Sequence, residues 1–125
     1  MTQGHILETN DCHRVTNALA RVGDKWAVLI VMQLDAEPRR FSELRRAISG
    51  ISQKMLTLTL RGLERDGFIT RTVYPTNPPS VEYALTDLGN EMVVPVKALG
   101  VWVLSNLHRI ESARSRFDVK DIKRP

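Results

Sequence analysis

A mainly helical fold with one small β-hairpin is predicted for this chain, on three observations. Apolar residues recur at three- and four-residue spacing through most of residues 10–65 and again through 88–110, as helices buried along one side require. The segments "FITRTVYP" and "VEYALT" alternate instead, are rich in β-branched and aromatic residues, and are parted by the loop "TNPPS". Asp, Ser, Gly and Pro stand where these periods begin and end.

The elements follow in order. "TNDCHRVTNALARVG" reads as a helix of about three turns, with Asn10 or Asp11 as its cap and Val15, Leu19 and Val22 along one side. Gly23 ends it and Asp24 caps the next, "KWAVLIVMQLDAEP". There Trp26, Leu29, Ile30, Gln33 and Leu34 leave little polar face, so this helix is the expected centre of the core, and Pro38 marks its end. In "RRFSELRRAISG" a short helix starts near Ser42 and Glu43 and turns Phe41, Leu44 and Ile48 inward. Gly50 permits a sharp turn into a longer helix beginning at Ser52. On that helix Met55, Leu56, Thr59, Leu60 and Leu63 gather on the inner side, and Lys54, Thr57, Leu58, Arg61 and Arg65 on the outer. A short helix, a tight turn and a longer helix make a helix-turn-helix, and a hairpin directly after it makes a winged helix.

Thr86 or Asp87 caps a last long helix from Leu88 to about Ile110. Pro95 removes the hydrogen bond to the carbonyl of Glu91, which predicts a kink or a fresh start there. Beyond Ser112 the polar tail is expected to fray. The expected organisation is one domain over residues 12–111, with flexible or partly ordered tails at 1–11 and 112–125.

Composition narrows the function. With 125 residues, 42% hydrophobic and 26% charged, the chain suits one ordinary globular domain. The longest apolar run, Trp26 to Met32, is far too short to cross a bilayer. "MTQGHILETNDCHR" has no basic start followed by an apolar block, so the expected compartment is the cytoplasm. Between Ala36 and Arg65 lie seven basic and three acidic residues, an excess equal to the +4 of the whole chain. Such a patch on an amphipathic helix either attracts polyanions or is simply a solvated face. The histidines His5, His13 and His108 match no metal-ligand spacing, and no nucleophile motif, phosphate loop or dinucleotide fingerprint is present. No enzyme, metal or cofactor is predicted.

What the outer helix face offers is more specific than charge. Ser52, Gln53, Lys54, Thr57 and Arg61 combine donors and acceptors that fit base edges in the major groove: Gln pairs with adenine, Arg or Lys with guanine, and a Thr methyl rests on thymine. They lie at the start of the second helix, where a recognition helix meets the bases. Leu58 is either a lone exposed leucine or a further thymine contact. Arg39, Ser42, Arg45, Arg46 and Arg65 are the candidate phosphate ligands around it. The hairpin tip carries no Lys or Arg, so it can bond phosphates only through Thr76, Asn77 or Ser80, or else brace the sheet.

The last helix has more apolar surface than one face needs. Leu99, Trp102, Val103, Leu107 and Ile110 form a stripe, extended by Val96, Val101 and Leu104, and the first helix has a similar surplus at Val15 and Leu19. Pairing of both helices with their copies across a two-fold axis is predicted, setting two recognition helices roughly 34 Å apart on a near-palindromic site. The single cysteine, Cys12, excludes an intrachain disulfide. One residue past Asp11, it would sit where the helix dipole favours a thiolate, with His13 and Arg14 assisting and Asp11 opposing. The other reading is a small buried hydrophobe at the dimer seam.

From about Cys12 to Trp102 the chain resembles the HxlR-type transcriptional regulators, which are related to the MarR group. The resemblance is carried by "GDKWAVLIVMQL", "RRFSELRRAISGISQKMLTLTLRGLERDGFITR" and "PSVEYALTDLG". It departs at Leu58, where a polar residue is more usual, and at His13, where Pro often follows the cysteine. The resemblance implies operator binding by a homodimer through a recognition helix at 52–65. It also implies that Cys12 senses an electrophile, quinone or oxidant, by adduct formation or an intersubunit disulfide that disturbs the dimer geometry. The expected function is therefore a sequence-specific DNA-binding regulator, a repressor released through Cys12. The alternative is a winged-helix module that binds an acidic protein through its basic face.

Overall fold

The computed structural model describes residues 9–122. His5 and most of the predicted N-terminal tail lie outside the described residues. Five helices and three strands follow in the order α1 (Thr9–Val22), α2 (Lys25–Ala36), β1 (Arg39–Arg40), α3 (Phe41–Ala47), α4 (Gln53–Arg65), β2 (Ile69–Tyr74), β3 (Ser80–Leu85) and α5 (Asp87–Ile122). Residues up to Val94 form one compact unit, and those from Pro95 another.

Local chemistry sets most of the boundaries. The Asp24 carboxylate accepts from the Ala27 amide at 3.0 Å and caps α2. The Arg40 amide donates to the Glu43 carboxylate at 2.8 Å and starts α3. The Ser52 hydroxyl accepts from the Met55 amide at 3.0 Å and caps α4. Gly50 and Gly67, at φ +84° and +83°, make the turn between α3 and α4 and the turn that leaves α4. For α5 the cap is Thr86, whose Oγ1 accepts from the Gly89 amide at 3.1 Å and donates to the Gly67 carbonyl at 2.6 Å.

Four expectations are corrected. The first helix starts at Thr9, ahead of both predicted caps, so Cys12 is its fourth residue and does not directly follow a cap. The predicted hairpin is one side of a three-stranded antiparallel sheet ordered β1-β3-β2, with Arg39 opposite Tyr83 and Arg71 opposite Tyr83 on the other edge. Two residues of strand are too few to show a period, and β1 exists because the chain leaves α2 extended at Glu37 and runs beside β3. Of the kink or fresh start predicted at Pro95, the fresh start is excluded, because Pro95 lies inside α5. Residues 112–122 are helical where fraying was predicted, since "SARSRFDVKDI" has no Gly or Pro to end the helix.

The core is built by Ala27, Ile30, Val31 and Leu34 of α2, Leu44 of α3, Leu56, Leu60 and Leu63 of α4, and Ile48, Ile51, Ile69, Tyr83 and Val93 around them. Buried Thr59 satisfies its hydroxyl on the Met55 carbonyl at 2.7 Å. Met55 itself is 39% exposed, although the sequence placed it inward. At 3.6 residues per turn it lies nearly a third of a turn from the middle of the arc set by Leu56, Leu60 and Leu63.

Candidate nucleic-acid interface

Burial of Leu56, Leu60 and Leu63 against α2 and the sheet leaves the opposite side of α4 in solvent. Gln53, Lys54, Thr57, Leu58, Arg61 and Arg65 are all exposed there, Leu58 by 52%. The helix spans thirteen residues, about 18 Å, which is enough to lie along a major groove. The outer face is not uniform. Gln53, Thr57 and Arg61 face the sheet and line a groove of about 510 Å³ with Glu64, Phe41, Val81, Tyr83 and Arg71. Arg65 stands at the other flank, with α1, where its guanidinium is 4.0 Å from the Asp66 carboxylate.

The flanking basic residues differ in availability. Arg46 is exposed on α3. Arg45 Nη1 donates to Gln53 Oε1 at 3.3 Å, tying α3 to α4. The Gln53 oxygen has a second lone pair and its amide nitrogen two donors, so pairing with adenine is compatible with that contact. Arg39 is different. Its guanidinium donates to the Gln33 carbonyl at 3.4 Å and pairs with Glu37 at 3.3 Å, at 27% side-chain exposure. It holds the exit of α2, so its Nε and Nη1 are committed within the chain.

At the hairpin end, Ser42 and Asn77 share a second groove of about 630 Å³ with Arg40, Phe41, Thr76, Pro78, Pro79, Ser80 and Val81. The Thr76 hydroxyl donates to the Pro78 carbonyl at 2.7 Å and closes the tip. The Ser80 hydroxyl is shielded from solvent and without a partner, so it does not reach the surface as a phosphate ligand must. Ser52 stays exposed, but its oxygen is committed to the cap of α4. Arg40 and Arg71 line these grooves and were not singled out by the sequence. Arg40 is hidden in a basic pair, and Arg71 sits mid-strand, where no helical period brings it beside Gln53.

Elsewhere, Leu19, Leu99, Trp102, Val103 and Leu107 are exposed, with Leu99 at 61% and Trp102 at 56%, while Val15 and Ile110 are half-buried. The Asn106 amide donates to the Trp102 carbonyl and its oxygen accepts from Arg109, each at 2.9 Å. Cys12 is a free, exposed thiol whose sulfur lies 4.0 Å from Thr16 Oγ1. No group of three or more metal-ligating residues occurs among the described residues, and no helix there is long and apolar enough to cross a membrane.

Comparison with known proteins agrees with this architecture. Residues 21–111 match the HxlR-like helix-turn-helix family. The uncharacterised HTH-type transcriptional regulator YtfH of Escherichia coli is 46% identical over 96 residues, which cover 77% of this chain and 76% of that protein. The solved structure of the transcriptional regulator YtfH from Salmonella typhimurium superposes with a TM-score of 0.77 at 42% identity, covering 81% of this chain and 90% of the other. The redox regulator HypR in its reduced form gives a TM-score of 0.73 at 39% identity, covering 79% and 98%. A winged helix-turn-helix with an outward basic helix, matched over this length, makes the chain a member of the HxlR-like helix-turn-helix family of DNA-binding transcriptional regulators.

Proposed function

We propose that this regulator binds a near-palindromic operator as a homodimer and represses by occupying it, with Cys12 as the point of release. The observation that carries the proposal is the division of α4: Leu56, Leu60 and Leu63 are buried while Gln53, Lys54, Thr57 and Arg61 stand in solvent. Gln53, Lys54 and Arg61 supply hydrogen bonds to base edges, and Thr57 and Leu58 apolar contact with thymine methyls. Ser52 contributes by fixing the start of the helix that presents them. Arg45, Arg46 and Arg65 hold phosphates, with Ser42 and Asn77 on the hairpin side.

Dimerisation is supported by the exposed apolar side chains of Leu19, Leu99, Trp102, Val103 and Leu107, which a second copy related by a two-fold axis would cover. Release through Cys12 is supported by its exposure and by the likeness to a redox regulator. Joining two Cys12 thiols in a disulfide gives up two protons and passes two electrons to the oxidant; a quinone instead adds to one thiolate. Either changes the seam between copies, and two recognition helices that lose their spacing no longer enter adjacent grooves. We place this activity in the cytoplasm with its DNA.

The test measures affinity for the duplex upstream of the protein's own gene, before and after hypochlorite or a quinone, for wild type and Cys12→Ser. Tight, salt-dependent binding that oxidant abolishes only in the wild type is the expected result. Equal loss in both proteins removes Cys12 as the sensor. Binding that is absent, or insensitive to salt, favours an acidic protein partner over DNA.

A further inference from the structure

The geometry points to Arg71 as a phosphate clamp that seats the recognition helix, holding the DNA strand that passes between α4 and the hairpin. This rests on the proposed docking of α4 in the major groove. Along β2 successive side chains alternate between faces, so Arg71 shares a face with Ile69, which is buried. Its cross-strand neighbours on that face are Tyr83 directly opposite, which is buried, and Leu85 and Val81, which pack against the core. A guanidinium is therefore set on the core-facing side of the sheet, just past the point where the core ends. There it stays exposed to solvent, so an anion outside the protein can reach it.

Arg71 opens into the groove that Gln53, Thr57 and Arg61 line from the other wall. The two guanidiniums face a common space with one acid, Glu64, among the lining residues. No hydrogen bond or ion pair engages either Arg61 or Arg71 among the described residues. Two unpaired cations lining one groove favour entry of an anion between them. A phosphodiester oxygen pair suits the planar fork of Arg71, which can bond it in a bidentate way. Because Arg71 stands on a strand and not on a loop, that contact holds the backbone at a fixed height above α4. Residues of the helix that read bases then meet them at a fixed depth.

Phosphate contacts carry affinity and salt dependence and leave sequence choice alone. The experiment titrates wild type, Arg71→Gln and Arg71→Lys with the operator duplex and with an unrelated duplex of equal length, over a series of salt concentrations. Arg71→Gln is expected to bind both duplexes about 5- to 30-fold more weakly and to flatten the salt slope by about 1.8, one phosphate's worth for each protomer of the dimer. Arg71→Lys should recover the slope but only part of the affinity. Unchanged affinity and slope in Arg71→Gln overturn the proposal. So does a loss confined to the operator at unchanged slope, which marks a base reader. Thr57→Ala is run alongside. If it loses operator preference while Arg71→Gln matches wild type, only the Arg71 assignment fails. If neither variant changes binding, the docking of α4 fails with it.

Discussion

Gly62 of α4 lies against the side chain of Arg21 from α1, and its missing side chain is what lets Arg21 lie there. A Cβ built on Gly62 would fall inside the Arg21 guanidinium. From that position Arg21 Nε donates to Asp66 Oδ2 at 3.0 Å, with both side chains about a third exposed, 31% and 30%. A hydrogen-bonded ion pair at that exposure is worth about 1 kcal/mol once solvent screening is allowed for. Gly62→Ala displaces the tip of Arg21 and forfeits the pair, but also gains about 1 kcal/mol of helix propensity. The two effects nearly cancel, so the single substitution is expected to leave stability almost unchanged. In an Arg21→Ala background the pair is already gone and the space is empty, so Gly62→Ala should stabilise by about 1 kcal/mol. The difference between the two backgrounds is a coupling of about 1 kcal/mol between residues on different helices. Urea unfolding followed by far-ultraviolet circular dichroism at one fixed protein concentration measures all four corners of the cycle. If Gly62→Ala shifts stability equally in both backgrounds, Arg21 does not occupy the Gly62 surface and the joint between α1 and α4 is not as described.

Gly89 provides the contrast: there a Cβ would strike the carbonyl oxygen of Phe68, and Leu85 Cδ2 lies 3.1 Å away. Backbone cannot swing aside as the tip of an arginine can, and that carbonyl also accepts from the Thr86 amide at 3.0 Å. Gly89→Ala is expected to cost about 2–3 kcal/mol or more, and a melting curve matching wild type would refute the close approach. A pH effect is expected at Tyr74, whose pKa is raised above its ordinary 10.0 first by the charge of Glu82 and then by the hydrogen bond to it. Because the folded value is the higher one, the associated stabilisation is present below about pH 10 and is lost as pH rises through the folded pKa. Near-ultraviolet absorbance should show a late-titrating tyrosine in wild type that returns toward the ordinary value in Glu82→Gln.

Much of the architecture was legible because it is locally coded. Asp24, Ser52 and Thr86 satisfy amides three residues ahead of them, and Gly50 and Gly67 take a backbone conformation other residues avoid. The inward residues Leu56, Leu60 and Leu63 follow from the helical period alone, and so does the outward set Lys54, Thr57, Leu58 and Arg61. Met55 was misplaced because the period gives a direction but not the width of the arc its neighbours cover.

Read alone, the chain yields the succession of helices and the hairpin, the caps Asp24, Ser52 and Thr86, the oily side of α4 and the cationic character of its opposite side. Each depends on residues within a turn or two of one another. Which polar groups are free to act depends on how those elements pack. Arg39 is spent on Gln33 and Glu37, the Ser80 hydroxyl is shielded, Arg21 rests on Gly62, and Arg71 comes to share a groove with Gln53 and Arg61. In the last two cases the partners come from different elements. Availability is a property of the space between elements, and that space is formed only when distant segments pack.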